Sequence, residues 1–255
     1  MLKYILYSSI FCFILTLLLS FTGLIDSSIS YRLVDGVLYT RNSLGFQTVN
    51  APFLHLFPII VLSFCLCKNY KFLNIIYIII LLILYRFTNC RTGLICTIIC
   101  LLLFNFIKNV NLNKYEKISK YSFFIFTILS VTLACFFGEN LEINSLVSSR
   151  FSFWNHYLNN SSNYSLFGIN LIENMAIDNL FLNFLFRYGI IGYLLIALYF
   201  SKIKFNNTKE FLAFFVTLIY CIFESINYYY LNISFILICF NYLDYKNKNY
   251  EKQRT

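Results

Sequence analysis

Charged residues are scarce in this sequence. Only 12% of its 255 residues are Asp, Glu, Lys or Arg, whereas 59% are hydrophobic. A soluble domain carries about 25% charged residues, and one globular core of this length cannot bury so much apolar surface. The composition therefore predicts an all-α polytopic membrane protein, which we treat as a single integral membrane domain over residues 1–255.

The motifs of several common chemistries are missing as well. The sequence has no Walker loop, no Gly-rich dinucleotide turn and no His/Glu metal motif. Its nine cysteines form no recognisable metal set, because Cys96 and Cys100 lie on an apolar run without nearby histidines. We expect no cofactor, no disulfide framework and no energy coupling by ATP.

Long apolar runs divide the chain into predicted membrane spans. A helix needs roughly 20 apolar residues to cross a bilayer, with about 17 as the lower limit. The first run is too long for a signal peptide and no small-x-small cleavage site follows it. We therefore predict about eight spans, with outer loops at 26–50 and, the larger one, at 138–178: 4–25, 51–67, 72–88, 91–107, 121–137, 179–201, 210–226 and 228–243.

The lysines predict the orientation of these spans. With the N-terminus in the cytoplasm, eight spans place every lysine of the chain on the cytoplasmic side, as the positive-inside rule requires. Both termini are then cytoplasmic. The net charge of +9 is spread over short loops, which argues against nucleic acid as a partner.

The arginines show the opposite distribution. An arginine at the bilayer centre costs about 2.5–3.5 kcal/mol, so arginines on the outer side are expected to line a polar cavity that opens outward. The guanidinium fork matches phosphate or carboxylate in bidentate fashion, which predicts an anionic ligand, most simply a diphosphate. Scattered pairs with acids or lipid headgroups are the structural alternative. Six arginines map to the outer side or the outer half of a span: Arg32, Arg41, Arg86, Arg91, Arg150 and Arg187.

The larger outer loop holds the candidate catalytic residues. Arg150 and Trp154 lie one turn apart on a stretch whose spacing is typical of an amphipathic helix at the membrane interface. Asp178 and Asn179 precede the sixth span, where Asp178 is either a helix cap or a general base. His156, in the same loop, is the competing base. Trp154 is either an interfacial anchor or a contact for substrate.

Arg187 lies deeper, a little over two turns into the sixth span. An ionisable residue at that depth should face the protein interior and have a partner. Glu224, near the outer end of the seventh span, is the candidate partner. Such a pair would lock two helices together.

Three elements, taken in order, resemble the O-antigen and capsular polysaccharide polymerases (Wzy-type) and their O-antigen ligase relatives. The first is Arg-x-Ser-Leu-Gly-Phe at 41–46, and the second is Arg-Thr-Gly at 91–93. The third is the series Arg, Trp, Leu-Phe-Gly, Asp-Asn and Tyr-Gly-Ile-Ile-Gly over 150–192. The resemblance extends over about residues 35 to 225. Members of this family have more helices before the first element, so this chain is either a compact member or an N-terminally truncated one.

The resemblance implies a glycosyltransferase-type polysaccharide polymerase in the bacterial cytoplasmic membrane. We expect it to be inverting, because a single displacement inverts the anomeric centre, and metal-independent, because carboxylates are scarce in the outer loops. Its substrate would be an oligosaccharide repeat unit on a lipid diphosphate such as undecaprenyl diphosphate, with membrane lipids and other polysaccharide-export membrane proteins as partners. Asp178 or His156 would take the proton of the attacking hydroxyl. Arg41, Arg91 and Arg150 would hold the diphosphate. Trp154, Asn179 and Arg187 are the further candidate substrate contacts.

Two other functions use similar parts. A ligase would transfer finished glycan to another acceptor with the same residues. A transporter or flippase for polysaccharide precursors is the alternative from a different class, and it should show internal repeats or broken helices near the membrane midplane.

Overall fold

The structure is a computed structural model that describes residues 2–34, 37–66, 70–107, 112–147, 149–160, 165–168, 177–203, 205 and 207–224. The described part is mostly helical, as predicted. The chain divides into two compact units, one built chiefly from Met1–Lys108 and the other chiefly from Asn109–Leu231. The predicted span at 228–243 lies outside the described residues.

The first unit contains four helices and a β-hairpin in its described residues. The hairpin lies within the predicted outer loop at 26–50 and is an addition to the predicted helices. Alternating β-branched and aromatic residues surround an Asp-Gly dipeptide in the sequence, which is the strongest short signal for a hairpin. The strands pair antiparallel, with Ser30 opposite Arg41. The elements are α1 (Leu2–Phe21), β1 (Ile29–Val34), β2 (Val37–Asn42), α2 (Ala51–Leu66), α3 (Tyr70–Thr88) and α4 (Arg91–Phe106).

The second unit is organised around its first helix. Helix α5 packs against α7, α8 and α9. Phe123 of α5 is completely buried and meets Phe181 at 5.1 Å and Phe200 at 5.0 Å between ring centroids. Such offset and edge-on ring pairs stabilise a core beyond the area that they bury. The elements are α5 (Leu112–Phe137), α6 (Leu141–Leu146), α7 (Arg150–Asn159), α8 (Leu180–Ser201) and α9 (Thr208–Phe223).

Seven of the predicted spans coincide with helices, with shifted ends. The largest shift is in α5, which begins at Leu112 rather than at 121, because Lys and Glu favour helix as well as apolar residues do. The count of eight spans stays a prediction. Among the described residues, three helices are long and apolar enough to cross a membrane, Lys3–Phe21, Ser119–Phe137 and Leu180–Ser201, and three apolar helices are shorter, Ala51–Leu66, Phe72–Thr88 and Arg91–Phe106.

These helices expose large apolar side chains. Tyr4 and Leu18 of α1, Ile128 of α5 and Leu195 of α8 are each more than half exposed. In water, exposed apolar area costs roughly 25 cal/mol per Å², and patches of this extent mark sites that meet another protein or a membrane. The exposed faces are therefore consistent with surrounding lipid.

Helix α8 is broken at Gly189, which has φ 69° and ψ −176°. The break leaves the N–H groups of Ile190 and Ile191 without their helical acceptors, and they donate instead to the carbonyls of Ser165 and Leu166, each at 3.1 Å. Backbone groups at membrane depth must find protein partners in this way. The Leu-Phe-Gly segment therefore completes the hydrogen bonding of the broken helix.

Two glycines permit this close approach. A Cβ on Gly189 would lie 2.2 Å from the nitrogen of Gly168, and a Cβ on Gly168 would lie 2.1 Å from the carbonyl oxygen of Arg187. Both distances are far shorter than van der Waals contact. Leu-Phe-Gly and Tyr-Gly-Ile-Ile-Gly, separate elements in the sequence, are thus two halves of one packing contact.

Replacing Gly189 with Ala should destabilise the protein by roughly 3 kcal/mol or more, because strain at positive φ adds to a steric clash. Gly23→Ala is the matched control: Gly23 also has positive φ, but a Cβ there meets nothing within 4 Å. We expect it to cost about 1 kcal/mol. Thermal unfolding of the purified variants in detergent measures both, and equal losses would contradict the packing explanation.

Candidate functional site

The site in the second unit is built on one face of α7. The predicted helix is confirmed, and it buries Arg150, Phe151, Trp154 and Tyr157. This face packs on α5, where Phe137 meets Phe151 at 6.0 Å between ring centroids. Trp154 is completely buried, so its ring is covered by protein rather than open to a sugar.

Arg150 joins α7 to the end of α9. Its Nη2 lies 2.8 Å from Glu224 Oε1, and its Nη1 donates to the carbonyl of Phe223. The last carbonyls of a helix lack intrahelical donors and carry partial negative charge, which favours a cation at that end. The side chains of Arg150 and Glu224 are only 8% and 6% exposed. The positive charge of Arg150 is therefore compensated inside the protein.

Asp178 is the accessible member of this cluster. Its Oδ2 lies 3.5 Å from Arg150 Nη2, and its side chain is 46% exposed. Burial of the remaining half raises the pKa of Asp178 above its ordinary value, and the neighbouring Arg150 charge opposes that shift. A carboxyl group with a raised pKa accepts and releases a proton closer to neutral pH, as a general base requires.

Helix capping is not the role of Asp178. The N-cap of α8 is Asn179, whose Oδ1 accepts a hydrogen bond from Leu182 N at 3.0 Å. Asn179 Nδ2 also donates to Ser130 of α5 at 2.9 Å. Both groups of the Asn179 side chain are thus engaged in buried structure, and none of it is exposed. The capping alternative, which the sequence left open for Asp178, belongs to its neighbour.

Two buried polar atoms near this end of the unit lack a hydrogen bond within the part of the chain that the structure describes. They are Trp154 Nε1 and Asn183 Oδ1. Asn183 lies one turn after Asn179 and donates through Nδ2 to the carbonyl of Ile177 at 3.4 Å. Unsatisfied buried atoms are uncommon in proteins and often accompany functional sites or internal water.

The other candidates of this unit lie apart from the buried cluster. His156 is exposed on α7, whereas Arg150 and Trp154 form the buried face of the same helix. Arg187 is also exposed, so the prediction that it faces the protein interior is wrong. Glu224, its predicted partner, forms its buried ion pair with Arg150.

In the first unit, Arg41 is held by the protein. Its Nε donates to the carbonyl of Thr88 and its Nη2 to Asn50 Oδ1, both at 2.8 Å. These bonds join β2 to the end of α3 and to the residue that precedes α2. Arg91 begins α4, only two residues separate this helix from the end of α3, and the Arg91 side chain is half-buried.

The Arg-x-Ser-Leu-Gly-Phe element forms the turn after β2. Ser43 is completely buried and its Oγ accepts from the backbone of Ser28 at 2.9 Å. Gly45 has φ 80°, and a Cβ there would lie 3.0 Å from Ser20 of α1. Phe46 packs on α1 with 5.6 Å between ring centroids. Apart from Arg41, the element thus fixes the hairpin to the first helix.

A double-mutant cycle tests the buried pair of Arg150 and Glu224. Removing one partner of a buried pair leaves an uncompensated charge and costs about 3–5 kcal/mol. We expect Arg150→Ala to cost more than Glu224→Ala, because Asp178 still faces the guanidinium in the second variant. The double variant should cost less than the sum. If the losses in free energy of unfolding, measured in detergent, are additive, Arg150 and Glu224 do not compensate each other's charge.

The pH dependence of stability tests the environment of Asp178. Below its ordinary pKa of 3.8 the Asp178 carboxyl is protonated in both the folded and the unfolded state. The stabilisation that its raised pKa gives the folded protein is then fully present. As pH rises through that raised pKa, the unfolded state loses its proton first, and the stabilisation from protonated Asp178 in the folded state is lost. The thermal midpoint of Asp178→Asn should therefore rise relative to wild type with increasing pH. A constant difference would show that burial does not raise this pKa.

Among the described side chains, no group of three or more His, Cys, Asp or Glu residues could hold a metal ion. The Arg150 guanidinium lies between Asp178 and Glu224, where two carboxylates would otherwise repel each other. No family model, curated protein or solved structure matches this chain.

Proposed function

We propose that this protein polymerises lipid-diphosphate-linked oligosaccharide units into a polysaccharide at the outer face of the bacterial cytoplasmic membrane. The observation that carries the proposal is the half-exposed Asp178 carboxylate, held 3.5 Å from a buried and charge-compensated arginine. It lies just before a helix long and apolar enough to cross a membrane. The order of sequence elements that resembles the Wzy-type polymerases supports the same reaction.

The proposed step is one displacement at the anomeric carbon. A hydroxyl oxygen of the acceptor glycan forms the new bond to that carbon, the bond from the carbon to the diphosphate oxygen breaks, and the lipid diphosphate leaves with the electron pair. Asp178 takes the proton of the attacking hydroxyl. A single displacement inverts the anomeric centre. Raised basicity and half exposure both suit Asp178 for this role.

Arg150 is assigned a positioning role in this proposal. Its guanidinium is engaged with Glu224 and Phe223, so little of its charge is left for a diphosphate. It holds the Asp178 carboxylate in place, and it compensates the negative charge of the neighbouring Glu224 carboxylate. His156, exposed on the other side of α7, is the weaker candidate for the base.

Arg91 and Arg41, the other arginines that the resemblance assigns to an anionic ligand, lie in the first unit. Arg91 is half-buried at the N-terminus of α4, where free N–H groups and the helix dipole favour an anion. Arg41 already donates to Thr88 and Asn50 and is the second choice.

A second function has one observation in its favour. Helix α8 is interrupted at Gly189, and its backbone is completed by residues 165 and 166. Discontinuous membrane helices occur in transporters, where they line substrate sites. Transport of a lipid-linked precursor across the membrane is therefore the alternative that the experiment must separate.

Polymer length in cells that lack the native gene tests the proposal. Wild type should restore long surface polymer, whereas Asp178→Asn should leave single repeat units on the lipid carrier, a loss of about 10²-fold or more in elongation. Glu139→Gln, which neutralises an exposed carboxylate of the same unit, is the matched control and should behave as wild type. Immunodetection in membranes checks that each variant is present.

The accumulated product separates the alternatives. Long polymer that remains on its carrier would indicate a ligase. Repeat units that accumulate at the inner face would indicate a transporter. Normal polymer length in Asp178→Asn would contradict the assignment of the base.

A further inference from the structure

A cavity of about 330 Å³ opens at the end of α1 in the first unit. Helix α1 ends at Phe21, and Gly23 follows with φ 75°. Nothing lies within 4 Å of the position that a Cβ on Gly23 would occupy, so this side of the cavity is open. Pockets of roughly 300–1,000 Å³ are the usual size for small organic ligands.

One part of the cavity wall is polar. Ser20 and Ser27 bond to each other at 2.7 Å, and Ser27 Oγ also accepts from Gly45 N at 2.9 Å, so both are fixed. Asn42 accepts from Leu44 N through Oδ1. Among the described residues, neither Asn42 Nδ2 nor the exposed Asp26 carboxylate has a hydrogen-bond partner. The cavity thus offers one free donor and one charged acceptor.

Another part of the wall is aromatic. Phe21 and Phe87 meet edge to face with 5.5 Å between ring centroids. Their side chains are 57% and 38% exposed, so ring surface remains for a ligand. Phe87 directly precedes Thr88, whose carbonyl holds Arg41. The cavity is therefore contiguous with the network that fixes the hairpin.

The polar and aromatic parts of the cavity wall together favour some classes of ligand over others. The carboxylate of Asp26 repels phosphate, so the cavity does not suit the diphosphate. An ammonium group only donates and would leave the amino group of Asn42 unmatched. A sugar hydroxyl donates and accepts at once, and the C–H face of a pyranose ring packs on an aromatic ring. The polar residues of the cavity wall therefore suit the hydroxyl groups of a sugar, and the aromatic residues suit its C–H face.

We propose that the cavity between Asp26, Asn42 and the Phe21–Phe87 pair binds one pyranose ring. This inference rests on the proposed function in assigning that ring to the glycan being polymerised, as a subsite separate from the site of the diphosphate. Asp26 and Asn42 bond the ring hydroxyls, and the two phenylalanines contact its apolar face.

Saturation-transfer NMR on the full-length protein in lipid nanodiscs tests the cavity. The probes are the methyl glycosides of glucose, galactose, mannose, N-acetylglucosamine and N-acetylgalactosamine, with choline and ethanolamine as probes of lipid headgroups. At least one glycoside should receive saturation. Asp26→Asn should weaken its binding about tenfold, since a hydrogen bond to a charged group is lost.

Two further variants sharpen this test. Gly23→Asn adds a side chain to the open side, at a positive φ that Asn tolerates, and should weaken binding at least fivefold. Glu139→Gln, in the other unit, should leave binding unchanged. The proposal is overturned if no glycoside is saturated, if Asp26→Asn binds as wild type, or if choline or ethanolamine binds in its place.

The outcomes for the cavity and for the reaction are distinguishable. Glycoside binding that depends on Asp26, together with normal polymer in Asp178→Asn, would leave the cavity assigned and overturn the proposed base. Loss of polymer in Asp178→Asn without glycoside binding would overturn the cavity alone. If both proposals hold, Asp26→Asn should shorten the surface polymer while Asp178→Asn abolishes it.

Discussion

The second unit depends on one electrostatic constraint, the burial of a guanidinium group. A buried cation needs a partner and filled hydrogen bonds, and Arg150 obtains both from Glu224 and from the carbonyl end of α9. This requirement fixes where α7 meets α9. It also leaves Asp178 beside a compensated charge, half exposed, with a raised pKa. The position of that carboxylate beside a compensated charge follows from the buried pair, whereas burial of the carboxyl itself raises its pKa.

Backbone hydrogen bonding imposes a second constraint on a chain with so much apolar surface. Where α8 breaks at Gly189, a separate segment supplies the missing acceptors. Where the chain leaves α1, a β-hairpin pairs its own backbone and Ser43 ties its base. Both arrangements give backbone N–H and C=O groups hydrogen-bond partners within the protein, which a lipid environment would require. The glycines at these places permit contacts that a Cβ would prevent.

Periodicity and apolar length predict the helices from sequence, because each span buries or exposes a continuous apolar stripe. The hairpin was missed although Asp35-Gly36 between alternating residues signals it. The partner of Arg150 could not be predicted, since Glu224 is 74 residues away and spacing along the chain carries no information on such a contact. The sequence could not decide between Asp178 and Asn179 as the cap of α8 either. Asn179 is the cap because the helix begins directly after it, at Leu180.

We propose that Asp178 is open to the outer face of the membrane, while the Arg150–Glu224 pair beside it is buried. Asp178→Cys and Glu224→Cys, each treated in intact cells with a membrane-impermeant maleimide and mapped by peptide mass spectrometry, test it directly. The account predicts rapid labelling of Asp178→Cys from outside and little labelling of Glu224→Cys. Labelling of Asp178→Cys only from the cytosolic side, or equal labelling of both variants, would contradict it.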